Sequence, residues 1–238
     1  MTISSAVFYE GPSPVNGRDV VAIATGLGSP SENPKTGEMV QVFILDAEVA
    51  PNDAQKLGLD ESTCGDCALR PLLAKDPKSS CYVLTFQSPL AVWGAFKRGA
   101  YPVMTPAEVG ALAKRKNRPI RLGSWGDPAM IPFEVIADLL DASETGHTGY
   151  THQWARDWFD QRYLSVLMAS VDDESQLADL PNDARYFRVA TNDTPNDGEV
   201  TCPATVKNSD GNPLTTCARC KLCAGSNKSA RNIVTAYQ

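Results

Sequence analysis

Seven cysteines, which fall into two groups, are the residues of this 238-residue chain whose types and spacing most directly imply chemistry. The front group has the spacing C-x2-C-x13-C, and it consists of Cys64, Cys67 and Cys81. The back group has the spacing C-x14-C-x2-C-x2-C, and it consists of Cys202, Cys217, Cys220 and Cys223. Thiolates two residues apart lie on one tight turn and can hold a metal ion or two corners of an iron–sulfur cluster. The spacing therefore predicts that all seven cysteines are metal ligands.

The back group supplies four thiolates, which is the number that both a structural zinc site and a [4Fe–4S] cluster require. Three of these cysteines follow one another at steps of three residues and can face one centre. Cys202, which precedes Pro203, can then return to complete the set. Because C-x2-C-x2-C is typical of ferredoxin-type sites, we expect a [4Fe–4S] cluster, with zinc as the alternative.

The front group has only three thiolates, so its fourth ligand is open. An open coordination position would admit a substrate or a cofactor, as in catalytic metal sites. Alternatively Asp66, a backbone atom or Cys202 completes the site, or one cluster draws ligands from both groups. Cys81 lies beside an apolar stretch and can also be interpreted as a small core residue that binds nothing.

The composition is that of a globular chain, with 42% hydrophobic residues and a formal net charge of -6. No apolar stretch approaches the roughly 20 residues that a membrane helix needs, and the N-terminus lacks the pattern of a signal peptide. We therefore expect no membrane association and a cytoplasmic location, where thiols bind metal more often than they form disulfides. The acidic balance does not favour nucleic acid. The basic cluster at residues 114–121 is interpreted as a solvated helix end, with a local nucleic-acid contact as the alternative.

Several signatures of other enzymes are missing from the sequence. The chain has no phosphate-binding G-x-x-x-x-G-K-[ST], no G-x-S-x-G, no H-E-x-x-H and no G-x-G-x-x-G. The sequence therefore gives no support for phosphate-loop hydrolysis, serine-hydrolase chemistry or zincin-type proteolysis.

Strands and helices alternate along the chain, and these elements must position the cysteines. Strands are predicted at residues 20–24, 40–46, 82–86, 120–125, 148–152, 165–171 and 186–190. Helices are predicted at residues 89–98, 106–117, 132–141, 155–163 and 174–180, the second beginning with a capping box from Thr105 to Glu108. This alternation predicts an α/β fold, a partial or closed (β/α) barrel of mostly parallel strands. We expect residues 1–190 to form the barrel-like domain and residues 191–238 to form a Cys-rich extension packed on it, ordered by metal rather than by a core.

Polar side chains follow three of the predicted strands. Asp127 follows the strand at 120–125, His152 ends the strand at 148–152, and Asp172 follows the strand at 165–171. The carboxyl ends of parallel strands meet at one edge, where ligands collect in such sheets. Asp127, His152 and Asp172 are therefore predicted to be catalytic. The alternatives are that the two carboxylates cap the following helices and that His152 is a hydrogen-bonded histidine under a loop.

Short motifs occur in a fixed order over residues 33–225. They are Asn-Pro-Lys-Thr-Gly at 33–37, Cys-x2-Cys at 64–67, Cys-Tyr at 81–82, Ile-Arg-Leu-Gly-Ser-Trp-Gly-Asp at 120–127, Gly-Tyr-Thr-His-Gln-Trp at 149–154, Ala-Ser-Val-Asp at 169–172, Cys-Pro at 202–203 and the closing Cys-x2-Cys-x2-Cys. In this order they resemble the bacteriophage gene-product-eighty-eight group, whose members look like offshoots of radical S-adenosylmethionine enzymes.

The resemblance implies a partial (β/α) barrel, a viral origin, a location in the infected host cell and cysteine-bound iron–sulfur. It also makes Ser124, Asp127 and Asp172 candidates for binding a cofactor, with S-adenosylmethionine as one such cofactor. The chain departs from the radical enzymes, which carry C-x3-C-x2-C in one loop, because its front ligands are spread over 18 positions.

Two functions are consistent with these observations. The first is an iron–sulfur phage protein that acts on a small molecule, as a redox enzyme or as a degenerate radical S-adenosylmethionine enzyme. The alternative is a non-enzymatic phage accessory protein, stabilised by zinc or a cluster, that binds a host protein or nucleic acid.

Overall fold

Two five-stranded sheets form the framework of the computed structural model, which describes residues 3–31, 33–74, 81–192 and 194–236. The strands are β1 (Ser5–Pro12), β2 (Asp19–Thr25), β3 (Val40–Asp46), β4 (Ile120–Trp125), β5 (His147–Thr148), β6 (Tyr150–Thr151), β7 (Met168–Val171), β8 (Tyr186–Ala190), β9 (Glu199–Thr201) and β10 (Asn232–Ala236). The helices are α1 (Pro51–Leu57), α2 (Glu61–Cys64), α3 (Ser88–Lys97), α4 (Pro106–Arg115), α5 (Phe133–Ser143) and α6 (Cys217–Cys220). The predicted α/β class is confirmed.

The first sheet has the order β1-β2-β3-β4-β5, and the second has the order β6-β7-β8-β10-β9. β1, β2 and β3 pair antiparallel, whereas β3, β4 and β5 pair parallel. All pairings within the second sheet are parallel. The chain passes from one sheet to the other through Gly149, the single residue between β5 and β6. No closed barrel is found in the described parts of the chain, so the closed form of the predicted barrel is wrong.

The first sheet is covered on both faces, which explains its continuous apolar strands. Alternate residues of β2 face opposite sides, because side chains in a strand alternate between the two faces. Val20 and Ala22 pack in the core that includes α4 and α5. Val21 and Ile23 pack on the other side, with α3 and the partly buried Cys64. One face therefore builds the main core, and the other carries the front cysteines.

Several predicted elements agree with the structure. β3 and β4 have the predicted bounds, and α3, α4 and α5 lie within two residues of theirs. The capping box is present at the start of α4, where Thr105 accepts a hydrogen bond from the Glu108 N–H and Glu108 bonds back to the Thr105 N–H. Local chemistry decides these elements, so the sequence predicts them well.

Other elements were predicted wrongly. Residues 82–86 form no strand, and Tyr82, Leu84 and Phe86 are exposed rather than paired in a sheet. The predicted helix at 155–163 is a loop followed by a 3-10 helix, Gln161–Ser165. In that loop the buried indole of Trp154 donates to the Ser170 carbonyl, a tertiary bond that fixes a non-helical path. β1, α1 and α2 were not predicted, because each is short or interrupted by polar residues.

The Cys-rich tail was expected to be ordered by metal rather than by a core, and this expectation is wrong for its strands. β9 and β10 belong to the second sheet, and Ile233 and Val234 of β10 are fully buried. The buried Arg185 also donates to the carbonyls of Leu222, Ala224 and Arg231. Sheet pairing and a buried guanidinium therefore hold the tail in place.

Among the described residues, no helix has the length and apolar character that crossing a membrane would require.

Candidate metal centre and its cavity

One cavity of about 210 Å³ lies between the strand ends and the tail, and its wall includes the side chains of all seven cysteines. This volume is several times the roughly 30 Å³ that one water molecule occupies in the liquid. All seven thiols are free of disulfide bonds. The fold thus brings both predicted ligand groups, which are more than a hundred residues apart in sequence, to a single space.

A buried ion pair shapes the loop that carries the front cysteines. α2 ends at Cys64, and Gly65 follows with a φ of 55°, a left-handed conformation. A Cβ at this position would lie 2.4 Å from Oε1 of Gln153, so only glycine fits. The guanidinium of Arg70 donates to the Gly65 carbonyl at 2.9 Å and to Oδ1 of Asp60 at 2.7 Å. Neither Arg70 nor Asp60 was predicted as a site residue, because neither belongs to a recognisable motif.

The three front cysteines lie close to one another. Burial raises the pKa of Cys64 well above its usual value, and Cys67 and Cys81 raise it further. Burial also raises the pKa of Cys81, and Cys67 contributes in the same direction. The Cys81 N–H donates to the Leu69 carbonyl at 2.7 Å, which ties it to the loop after Cys67. Cys81 therefore lies near the other two front cysteines, and it also packs against the hydrophobic cluster on this face of the first sheet.

The Asn33–Gly37 turn supports the back group. Oδ1 of Asn33 accepts hydrogen bonds from the N–H groups of Lys35 at 2.9 Å and Thr36 at 3.1 Å. The carbonyls of Lys35 and Thr36 in turn accept from the N–H groups of Cys217 at 2.9 Å and Ala218 at 3.0 Å. From the sequence, residues 33–37 were singled out only as one motif of the resemblance, and the Asn-Pro sequence that begins the turn is a typical turn signal.

The back cysteines also form a set. Burial raises the pKa of Cys223 to about 12, with further increases from Cys202, Cys217 and Cys220. Cys202 is held by its N–H, which donates to the Val234 carbonyl of β10 at 2.9 Å. The Gly149 N–H, between the two sheets, donates to the Cys223 carbonyl at 2.9 Å. The four thiols therefore reach the cavity wall from the residue after β9, from α6 and from the segment after α6.

Asp127, His152 and Asp172, the predicted catalytic residues, lie together at the strand ends. Oδ2 of Asp127 accepts from the His152 N–H at 2.8 Å, and Nε2 of His152 lies 3.3 Å from Oδ2 of Asp172. Burial lowers the pKa of His152, but Cys67 and Asp172 outweigh burial and raise it well above its usual value. The rim residues thus adjoin the front group through the contact of His152 with Cys67.

Asp127 also has the capping role considered as the alternative. Its Oδ1 accepts from the Ala129 N–H at 3.0 Å, at the start of the 3-10 helix Pro128–Met130, and burial raises its pKa. The 3-10 helix after β7, Glu174–Asp179, is capped by Asp173 and not by Asp172. Asp172 is therefore not the cap of that helix, and it faces His152.

The remaining predicted residues lie at defined places. Ser124 lines the cavity, and its hydroxyl donates to Oε1 of Gln41 at 2.6 Å. Asp66, considered as a fourth front ligand, forms an ion pair with Arg156 at 3.2 Å. His147, the other histidine, is bonded to the Val166 carbonyl at 2.8 Å, away from the rim.

The basic residues at 114–121 do not form one patch. Lys114, Arg115 and Lys116 are exposed at the end of α4, as the helix-end interpretation predicted. Arg118 is buried and donates to the Gly26 carbonyl at 2.5 Å. Arg121 extends into the cysteine-lined cavity. The structure therefore divides this cluster between a helix end, a core contact and the cavity.

Within the described ranges, no three His, Cys, Asp or Glu side chains converge closely enough to hold a single metal ion. The thiols instead surround the cavity. Comparisons with protein-family models, curated proteins and solved structures gave no match for this chain.

Proposed function

We propose that this protein binds iron–sulfur in the cysteine-lined cavity, with a [4Fe–4S] cluster on the back group and a second cluster on the front group. The observation that carries this proposal is that all seven free thiols line one cavity in two mutually interacting sets. An all-thiol donor set suits iron–sulfur and zinc, and C-x2-C-x2-C is typical of cluster sites.

The charges around the cavity fit such groups. Burial holds the pKa of Cys64 and of Cys223 above their usual values, so ionised thiolates are unfavourable there without a compensating cation. A bound cation removes this cost, because metal ligation stabilises the deprotonated thiol. Arg121 and Lys35 also lie near the back group, where their positive charges favour the negatively charged thiolate of Cys217.

The front group provides three thiolates, and a cluster held there would supply electron transfer and one open coordination position. The chain's own residues surround that position. His152 contacts Cys67 and is held by Asp172, and Asp127 fixes the His152 backbone. We propose that this rim orients a small molecule beside the front group and that His152 holds a proton there, as in a redox enzyme.

The resemblance to the gene-product-eighty-eight group leads to a finer proposal. In it the two sheets are a partial (β/α) barrel, Ser124, Asp127 and Asp172 contact S-adenosylmethionine, and the protein acts in the cytoplasm of an infected cell. Ser124 and Asp127 line the cavity. Asp172 does not line it, but it lies beside His152, which does. These positions support the proposal.

A structural role for the back group is the second candidate. Cys217 links the turn at Asn33 to the tail, and Cys223 links the tail to Gly149 between the sheets. A metal here would fasten three segments that are distant in sequence. Zinc would fulfil this role in an accessory protein without catalysis.

The deciding experiment is metal analysis of protein purified without oxygen. Iron, acid-labile sulfide and zinc are measured on one sample, together with the visible absorption spectrum. We expect a brown protein with about eight iron and eight sulfide per chain for two [4Fe–4S] clusters. A colourless protein with stoichiometric zinc would exclude the iron–sulfur proposal and leave the structural role. Addition of S-adenosylmethionine to the reduced protein should release 5′-deoxyadenosine if the finer proposal holds.

A further inference from the structure

A row of polar side chains crosses the first sheet on the face that borders the cavity. Gln41 of β3 pairs in register with Arg121 of β4, and Arg121 pairs with Thr148 of β5. Residues that are paired across neighbouring strands project to the same face. Arg121 and Thr148 both line the cysteine-lined cavity. A guanidinium and a hydroxyl therefore lie side by side on its wall.

Most of the hydrogen-bond donors of Arg121 and Thr148 have no partner among the described residues. Among the described residues, the guanidinium of Arg121 has one hydrogen bond, from Nη2 to the Tyr82 hydroxyl at 3.1 Å. Arginine carries five N–H donors. Thr148 is 1% exposed, and its Oγ1 has no hydrogen-bond partner in the part of the chain that the structure describes. A buried hydroxyl without a hydrogen-bond partner is destabilising, so a bound ligand that accepts this bond would be favoured.

An outer cleft leads to this pair from the surface. Lys35, Tyr82, Val83, Arg121 and Ser124 line both the cavity and the cleft, so they form the neck between the two. The Lys35 ammonium lies 5.9 Å from the centre of the Tyr82 ring. Among the described residues of the cleft wall, the charged ones are Lys35 and Arg121, and both are cationic. The chain has a net charge of -6, but the charged residues described on this path to the cysteines are cationic.

The cavity wall offers these cations little competing negative charge from carboxylates. Asp127 is the one carboxylate in that wall among the described residues, and it is already bonded to Ala129, Thr151, His152 and Gln153. The cavity wall also includes apolar side chains, Val83, Phe187, Val189 and Leu222. A ligand that fits this space has an anionic group and an apolar body.

We propose that Arg121 and Thr148 bind the oxyanion group, a carboxylate or a phosphate, of a small organic molecule that enters through the outer cleft. The planar guanidinium donates two parallel N–H bonds to the oxyanion, and the Thr148 hydroxyl donates a third. Lys35 at the neck attracts the anion. This site does not depend on which metal the cysteines bind.

A different role for Arg121 must be separated from this one, because its charge also lies near Cys217 and Cys223. If Arg121 only neutralises thiolates, a lysine at this position will preserve its function. If Arg121 binds an oxyanion through two guanidinium N–H groups, a lysine will bind the oxyanion less tightly. Arg121→Lys is therefore the informative substitution. Arg115→Lys is its matched control, because Arg115 is exposed at the end of α4.

The test is calorimetric titration of protein purified without oxygen with benzoate, phenyl phosphate and neutral benzamide. We expect one of the two anions to bind at least about tenfold more tightly than benzamide, and the tighter anion identifies the oxyanion as carboxylate or phosphate. Arg121→Lys should weaken that binding about tenfold with unchanged metal content, and Arg115→Lys should not alter it.

Thr148→Val provides an independent test. It keeps the shape of the side chain, removes only the hydroxyl, and should weaken anion binding severalfold without loss of stability. If Arg121→Lys loses metal and its anion affinity cannot be interpreted, the anion affinity of Thr148→Val tests the site instead. Benzamide binding as tightly as both anions, no binding of either anion at millimolar concentration, or unchanged affinity in Thr148→Val would overturn the proposal.

Discussion

Nε2 of His152 lies 3.3 Å from Oδ2 of Asp172, and these two residues follow adjacent parallel strands of the second sheet. His152 is also bonded to the first sheet, because its backbone N–H donates to the carboxylate of Asp127, which follows β4. His152 is therefore the residue at which the ends of both sheets meet the front cysteine group. Asp127 fixes the His152 backbone, whereas Asp172 and Cys67 raise the pKa of its imidazole.

The substitution Asp172→Asn tests this control. The nearby negative charge of Asp172 raises the pKa of His152, so the neutral amide should lower that pKa. The measurement is a pH titration of the two histidine ring signals by NMR in the metal-free protein. His147 is the internal control, since burial lowers its pKa and its partner is the Val166 carbonyl. An unchanged titration of His152 would contradict the assigned contact.

Single cysteine substitutions test whether the two groups hold separate clusters. We expect Cys67→Ser and Cys220→Ser each to remove about half of the bound iron, because each cluster needs its own thiolates. The double variant should lose nearly all of it. The measurement is iron and sulfide content per chain after purification without oxygen. If either single variant lost all the iron, one cluster shared by both groups would be the better description.

A buried ion pair in the second sheet predicts a defined pH dependence. The guanidinium of Arg188 makes two bonds to Glu199, at 2.8 and 2.7 Å, and the two side chains are 5% and 0% exposed. Glu199→Gln should lower the free energy of unfolding by about 3 kcal/mol at pH 7, because it leaves a buried charge poorly compensated. Urea unfolding measures the loss.

The same pair sets the sign of the pH effect. Burial raises the pKa of Glu199, but Arg188 outweighs burial and lowers it below the usual value. Its contribution to stability is therefore present above the unfolded-state pKa of about 4.3 and is lost as the pH falls through the folded-state pKa. The difference between wild type and Glu199→Gln should shrink below about pH 4. Glu174→Gln is the control, because this partner of Arg188 is 65% exposed and should contribute less than about 1 kcal/mol.

Two helical glycines should respond oppositely to alanine. A Cβ on Gly94 of α3 would lie 3.4 Å from Nη1 of Arg98, the far end of a flexible side chain. Gly94→Ala should therefore stabilise the protein by about 0.5–1 kcal/mol, as expected from helix propensity. A Cβ on Gly110 of α4 would lie 2.3 Å from the Leu139 carbonyl oxygen of α5. Gly110→Ala should destabilise it by about 1–3 kcal/mol, because the two helices must separate. Thermal unfolding of both variants checks the pair, and a stabilising Gly110→Ala would contradict the close approach.

The sequence alone predicted the elements whose causes are local. Residues close together in sequence produce these signals. They are the alternating or continuous apolar runs of β2, β3, β4 and β8 and the capping box of α4. The strand expected at 82–86 was wrong, because β propensity alone does not give a strand a partner to pair with. β9 and β10 were missed for the converse reason, since parallel pairing with distant residues stabilises them.

For the site, the sequence by itself determined the residue types: two thiol groups and three polar residues at strand ends. Only the tertiary structure decided that both thiol groups face one cavity and that Asp172 contacts His152 instead of capping a helix. It also decided that Arg121 lines the cavity, whereas the basic residues at the end of α4 are exposed. It also decided that Asn33, Arg70 and Arg185 hold the cysteine-bearing segments in place. The physical reason is that spacing fixes which side chains can meet along one turn. Contacts between residues far apart in sequence depend instead on strand order and register, which no local pattern encodes.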